Sequence, residues 1–251
     1  MIELLEPKKI ATTLKKLKND EDYYGDFGRQ FLSNSDIKQL LTNPVDFRKP
    51  QEDSKAFLVG RYFHQCILEP EKAKDFDIIA VASRTTKAYK EMKQELGREI
   101  LLEKEKLMVD EMVSRMKGNF DFFDDIYLDG NTYEVPAVGK IMGLLFKGKA
   151  DIVCDNCLID LKTSADISKF RWSAYTYNYD SQCYIYQVLF GKPLKFFVID
   201  KQTLLMGKFN PSEKFVESGK HKVMRAIEVY ERYYGENSKE DASSFFIEET
   251  L

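Results

Sequence analysis

Residues 144–163 read LLFKGKADIVCDNCLIDLKT, and the fold follows from how this stretch is read. Two apolar runs, Ala150–Cys154 and Leu158–Leu161, flank Asp155-Asn156, a dipeptide suited to a tight turn. The pattern predicts a β-hairpin. Asp151 opens the first strand and Asp160-Leu161-Lys162 closes the second. Strand side chains alternate faces, so Asp160 and Lys162 point the same way while Leu161 turns to the core. Pairing across the turn brings Asp151 level with Asp160, which gathers two carboxylates and a lysine at one strand end.

Carboxylate oxygens are the hard ligands that Mg²⁺ and Mn²⁺ prefer. A divalent ion held there can acidify a water and neutralise the charge that builds on a phosphodiester during cleavage. A lysine on the same face can orient or help deprotonate that water and attract the phosphate. An amphipathic hairpin whose Asp and Lys are solvated or paired with each other accounts for these few residues equally well.

The wider motif favours the chemistry. Gly148-Lys149-Ala150-Asp151, then Asp160-Leu161-Lys162-Thr163, then Gln182-x-x-x-Tyr186 resembles the core of the PD-(D/E)XK nucleases. Within them it looks most like the RecB/RecE-type branch that includes lambda exonuclease. Gly60-x-x-x-His64 is similar to the metal-binding histidine motif of that branch, and LSNSDIKQLLTNPVDF at 32–47 resembles the opening of RecB-type nuclease domains. The resemblance covers roughly residues 33–200.

What it implies is a Mg²⁺- or Mn²⁺-dependent deoxyribonuclease, an exonuclease before anything else. One or two ions would be held by Asp151, Asp160, His64 and the Leu161 backbone carbonyl. Lys162 would position or activate the attacking water. Glu134, on the strand before the hairpin, would support a metal or a bound water, although a solvated strand glutamate explains it as well. Gln182 and Tyr186 would hold the DNA backbone or scaffold the site. Lys149, Lys169 and Arg171 are the nearest cations in sequence for phosphates. The implied partner is linear duplex DNA with free ends, together with a single-strand annealing or recombination protein and further copies of the chain. The implied setting is the bacterial cytoplasm, or that of a phage host. Two alternatives stay open: a structure-specific endonuclease with the same site, and a non-catalytic DNA-binding protein on the nuclease fold.

Composition sets wider bounds. A chain of 251 residues with 43% hydrophobic and 31% charged residues suits one globular domain. The net charge of −3 gives no overall basic footprint, so any nucleic-acid surface must be local. Lys140, Lys147, Lys149, Lys162, Lys169 and Arg171 cluster near the motif and could focus a positive field in a cleft. No apolar run approaches the ~18 residues of a membrane span, and the lysine-rich start does not read as a secretory signal. Four cysteines in a chain of this length suggest reduced thiols rather than a disulfide framework. Cys154-x-x-Cys157 lacks a second pair, so neither zinc nor an iron–sulfur cluster is expected.

The order of elements predicts an α/β (α+β) fold: a central mixed β-sheet flanked by helices, a restriction-endonuclease-like core with N-terminal helical additions. Residues 1–251 are read as a single domain, helical to about 120, with the catalytic sheet core about 121–210 and a C-terminal helix and tail at 211–251. Helices are expected at 7–19, at 33–42 with a serine cap and an Asn43-Pro44 stop, and at 55–69, 85–97 and 102–118. Strands are expected at Asp125–Leu128 and Thr132–Val138, followed by the hairpin. Helices at 166–173 and 178–190, strands at Leu194–Asp200 and Leu204–Phe209, and a helix over 212–234 complete the chain. Its inner face would carry Val216, Val223, Ile227 and Tyr230. Gly60 inside a helix costs about 0.5–1 kcal/mol against alanine, which predicts close packing there. Ser83–Lys87 reads as a helix cap or as a phosphate contact, and the polar residues after Gly235 as a loosely held tail.

Overall fold

A computed structural model describes residues 7–49 and 54–246, so the last residues of the polar tail lie outside the description. The chain opens with helices α1 (Pro7–Leu17), α2 (Asp20–Tyr24), α3 (Asn34–Thr42) and α4 (Lys55–Leu68). There follow α5 (Pro70–Ala73), strand β1 (Ile78–Ile79), α6 (Lys87–Leu96), β2 (Leu101–Leu102), α7 (Glu103–Lys117) and α8 (Phe120–Tyr127). The larger sheet is built by β3 (Thr132–Ile141), β4 (Leu144–Val153) and β5 (Leu158–Ser164), then by β6 (Leu194–Asp200) and β7 (Met206–Phe209) after helices α9 (Phe170–Thr176) and α10 (Tyr179–Phe190). Helix α11 (Glu213–Tyr234) closes the fold.

Local chemistry sets most of these boundaries. Ser33 starts α3 through a capping box in which Asp36 accepts the Ser33 backbone N–H at 2.7 Å, satisfying donors the helix leaves unpaired. Ser54, Thr86 and Ser212 cap α4, α6 and α11 through their side-chain oxygens. One expectation fails: Asp125–Leu128 is not a strand. Asn119 caps the FDFFDDIY segment, and Phe122 and Ile126, four residues apart, bury one helical face. The short apolar run was a fragment of a 3.6-residue period, which four residues cannot distinguish from alternation.

The sheet order is β3-β4-β5-β6-β7, with β5 and β6 parallel and the other pairs antiparallel. This is the mixed, helix-flanked sheet that the sequence predicts. Ile159, Leu161, Phe197 and Ile199 pack into one core with Phe63 and Ile67 of α4 and Met112 of α7. Their strand neighbours Leu158, Phe196 and Val198 pack into the other, with Ile185 of α10 and Val223 and Ala226 of α11. The parallel β5–β6 step needs a crossover, and α9 and α10 supply it. Helix α11 reaches α10 because Gly219 has no side chain: a Cβ there would stand 1.9 Å from the Asp180 carbonyl oxygen. All four cysteines are free, and Cys154 and Cys157 lie buried at the hairpin apex. Burial and the neighbouring Cys157 push the Cys154 thiol up to about 12, so it is an inert thiol. Among the described residues, no helix is long and apolar enough to cross a membrane.

The N-terminal segment docks on the outer part of β4. Lys147 is buried there, its ammonium donating to the Tyr23 carbonyl and lying 4.1 Å from the centre of the Tyr23 ring. Gly28 makes room, since a Cβ would come within 2.6 Å of the Lys147 Nζ. Lys147 is therefore a packing residue rather than a cation of an open cleft, and Lys140 sits exposed beyond it on β3. Burial lowers the Lys147 pKa to about 8. The unfolded chain, with its ordinary lysine value, then binds more protons than the folded one between about pH 8 and about pH 10.5, so this group adds stability as pH rises through that window. Urea unfolding should show the wild type gaining on Lys147→Met over that range. A constant difference would mean that Lys147 does not titrate there.

Candidate active site

The hairpin fixes the geometry. Strands β4 and β5 pair at Ile152–Ile159 and Val153–Leu158, and the Cys154 N–H donates to the Cys157 carbonyl at 2.9 Å to close the turn. Continuing that register sets Asp151 opposite Asp160, but the ladder ends there. In its place, Oδ2 of Asp151 accepts the Leu161 backbone N–H at 2.7 Å. On the other side, β3 pairs with β4 from Thr132–Val153 to Ile141–Leu144 but skips the Glu134–Asp151 step. Glu134 there has φ of +50°, an uncommon conformation for a residue with a side chain. The break re-aims the side chains of β4, as bulges beside active sites do: Ala150 packs into one core and Ile152 into the other. Glu134, Asp151 and Asp160 thus form a row across three neighbouring strands.

Helix α4 supplies His64, whose Nδ1 lies 3.3 Å from Oδ2 of Asp151. His64, Glu134 and Asp151 each offer a ligand atom, all within 4.8 Å of one another. Asp160 faces differently. It is 2% exposed, its Oδ1 accepts the Gln182 amide at 2.5 Å, and the Lys162 ammonium lies against its Oδ2 without an aligned hydrogen bond. Lys162 also sits 4.8 Å from the centre of the Tyr179 ring. Gly60 lines the cleft one turn before His64. Contrary to the expectation of close packing, a Cβ there would meet no atom within 4 Å, and the glycine leaves the cleft open.

Electrostatics follow from this crowding. Burial disfavours the charged form of His64, but the adjacent Asp151 carboxylate outweighs it and raises the imidazole pKa. Burial would raise Asp151, yet His64, Lys162 and the Leu161 N–H hold it below the usual carboxylate range. Asp160 is raised by its burial and by Asp151 despite the lysine beside it. Burial opposes the charge on Lys162, but Asp160 prevails and raises its pKa, so it stands as a cation rather than a base. Glu134 rises to about 8 through burial and the Asp151 charge.

The site lies in a cleft of about 990 Å³ bounded by α2, α4, β5 and the turn after α9. The residues expected to touch DNA divide within it. Gln182 and Tyr186 are 7% and 9% exposed, and their polar ends are engaged inside the protein: Gln182 on Asp160, and Tyr186 donating to the Lys149 carbonyl at 2.9 Å. They brace the site. Lys149 is paired with Asp20 at 2.5 Å. Lys169 lies on the rim, paired with Asp166 at 2.9 Å, while Arg171 is exposed and does not line the cleft. The Ser83–Lys87 segment, read as a cap or a phosphate contact, holds the cap of α6 at Thr86, and its Arg84 is locked on Glu99 and Glu105. Sequence reading missed the wall formed by Asp20, Tyr23 and Tyr24, and it also missed Phe57, Tyr177, Tyr179 and Lys201. Of these, only the DYY of residues 22–24 following a charged helix gave a signal, too common to interpret.

The donor set suits a divalent ion: two carboxylates with hard oxygens and one imidazole. The buried Oδ2 of Asp160 has no hydrogen-bond partner among the described residues, and the half-buried Glu134 stands within reach of the same ion as His64 and Asp151.

Residues 33–243 match the family described as "PDDEXK-like domain of unknown function (DUF3799)". The chain belongs to this family. It is thereby a PD-(D/E)XK-type protein, as the motif order implies. No curated protein matches it. Its fold is similar to a crystal structure from Eubacterium rectale described as a "Putative exonuclease", at 19% identity and a TM-score of 0.63, covering 93% of this chain and 95% of that one. A structure of the protein SSO0001 aligns at 16% identity and a TM-score of 0.29 over 65% of this chain and 84% of that one, too low to carry any argument.

Because Glu134 holds its proton to about 8, against an ordinary value near 4.5, the folded chain binds more protons in that window and loses stability as pH rises through it. In chelator near neutral pH, Glu134→Gln should therefore melt above the wild type. Added Mn²⁺ should raise the melting temperature of the wild type more than that of the variant. Equal Mn²⁺ shifts would remove Glu134 from the ligand set.

Proposed function

We propose that this chain is a metal-dependent deoxyribonuclease of the RecB/RecE type that degrades DNA from its ends. The observation that carries the reading is the row of Glu134, Asp151 and Asp160 at the parting of β4 and β5, flanked by His64 and by Lys162 as a cation. Family membership supports a nuclease. The fold likeness to the E. rectale protein favours an exonuclease over the structure-specific endonuclease and non-catalytic alternatives.

His64, Glu134 and Asp151 would hold the ion, with Asp160 and the Leu161 carbonyl completing the set. When bound, a Mg²⁺ or Mn²⁺ ion supplies a Lewis acid and an acidified water. Lys162, charged and braced by Asp160, attracts the scissile phosphate and orients the water. Gln182 fixes the Asp160 carboxylate, and Tyr186 fixes β4 beside Asp151. By the same resemblance, the setting is DNA recombination or processing in a bacterial or phage-infected cytoplasm. An annealing protein and a homo-oligomeric ring are the partners to look for.

End-labelled linear DNA should be degraded with Mg²⁺ or Mn²⁺ and spared in chelator, with covalently closed circles resistant. Circles cut as fast as linear DNA would replace the exonuclease reading with the endonuclease one. Lys162→Ala should lose about 100-fold or more in cleavage with Mn²⁺ affinity retained, and near-normal turnover would exclude the lysine from the reaction. Imidazole suits Mn²⁺ better than Mg²⁺, so His64→Ala should narrow the difference in activity between the two ions. An unchanged ratio would make His64 a packing residue.

A further inference from the structure

Three aromatic rings stand open in the cleft. Tyr24, Phe57 and Tyr177 are 62%, 51% and 55% exposed, and all three line it. Single exposed rings are ordinary on a protein surface, but three gathered around one set of carboxylates need an account. Tyr24 ends α2, with the Lys149 ammonium 5.8 Å from its ring centre. Phe57 lies on α4 two turns before His64, and the Arg61 guanidinium is 5.6 Å from its ring centre. Tyr177 follows α9, its ring 5.8 Å from that of Tyr179, which in turn lies against Lys162.

The charges of the cleft are largely spent within the protein. Lys149, Lys162 and Lys169 are paired with Asp20, Asp160 and Asp166. Lys201 lines the same cleft and has no acid partner among the described residues. A binding surface with open rings and few uncommitted cations suits stacking of bases more than tracking of a phosphate backbone. Within a duplex the faces of the bases are covered by their neighbours, and only an unpaired strand offers them. The carboxylates are also deep: Asp160 is 2% and Asp151 8% exposed, in a cleft of about 990 Å³. A single strand with its bases unpaired reaches carboxylates this deep more readily than a duplex, whose two backbones are held together.

We propose that DNA reaches the carboxylates as a single strand, with unpaired bases stacked on Phe57, Tyr24 and Tyr177 and a phosphate drawn to Lys201. A duplex would be a substrate only through a frayed or resected end. This names the substrate form for the nuclease reading above and rests on it.

The test is fluorescence anisotropy of the full chain in chelator, where nothing is cut. The probes are a labelled strand of about 12 nucleotides, the same strand with abasic sites that keep every phosphate, and a blunt duplex of equal length. The plain strand should bind about ten-fold or more tighter than the duplex and than the abasic strand. Phe57→Ala and Tyr177→Ala should each weaken the plain strand about ten-fold while leaving the abasic strand unchanged, with unaltered thermal melts showing that the variants fold. Equal affinity for plain and abasic strands, or a duplex bound as tightly as the strand, overturns the proposal, and the comparison on the wild type alone decides this. The two readings fail separately. Cleavage by the wild type with no abasic deficit removes the stacking and leaves the nuclease. An abasic deficit with no cleavage in either metal removes the nuclease and leaves a single-strand binding cleft.

Discussion

The structure depends on one exchange of hydrogen-bond partners. At Asp151 the antiparallel ladder of the hairpin stops, and the Leu161 N–H, which a continuing ladder would have used, is taken by the Asp151 carboxylate. A buried N–H must find an acceptor, so the side chain replaces the strand and lets β4 and β5 part. Into the gap come His64 from one flanking layer and Gln182 from the other. Those two helices belong to different cores, and they meet at the site only because the sheet opens there.

Opening the sheet concentrates like charge. Three carboxylates in a row repel one another, and burial adds to the cost. The protein offsets part of it with the Lys162 ammonium, the imidazole and one backbone amide, and the remainder appears as a raised Glu134 and a strained backbone at the same residue. Local rules broken together at one place are expected where stability is traded for chemistry. Elsewhere most helices are capped and the strands alternate, and positive φ recurs only singly, at Arg48, Met142, Asn178 and Leu204 among the described residues.

How much of this could be read in advance varied with distance along the chain. The hairpin, the mixed sheet and most helices were legible because their signals are local: Asp155-Asn156 at a turn, Ser33 at a cap, alternation through 158–161. Asp125–Leu128 failed because it is shorter than the period needed to identify it. Gly60 misled because an interior glycine can mean open space as well as close approach. The lysines misled most. Their clustering in sequence suggested a positive cleft, but Lys162 and Lys169 are taken by the nearby Asp160 and Asp166, and two others go to partners far away: Asp20 for Lys149 and the Tyr23 carbonyl for Lys147. The positive φ of Glu134 had no sequence signal, since glutamate carries no preference for it. Lys201 escaped notice because its place beside Ser164 is set by tertiary contact.

The docking of the segment around Asp20 and Tyr23 on β4 bears on how the molecule assembles. The hairpin that holds Asp151 and Asp160 is local, and its pairing can form as soon as its own residues exist. One wall of the cleft, in contrast, rests on bonds that join residues 129 and 124 positions apart, Asp20 to Lys149 and Tyr23 to Lys147. Contacts of such separation close large loops and form late. During synthesis the N-terminal wall emerges first and has nothing to dock on until the sheet follows. The carboxylate row is therefore assembled before its enclosure, and a nascent chain carries the parts of its chemistry ahead of the cleft that would confine it.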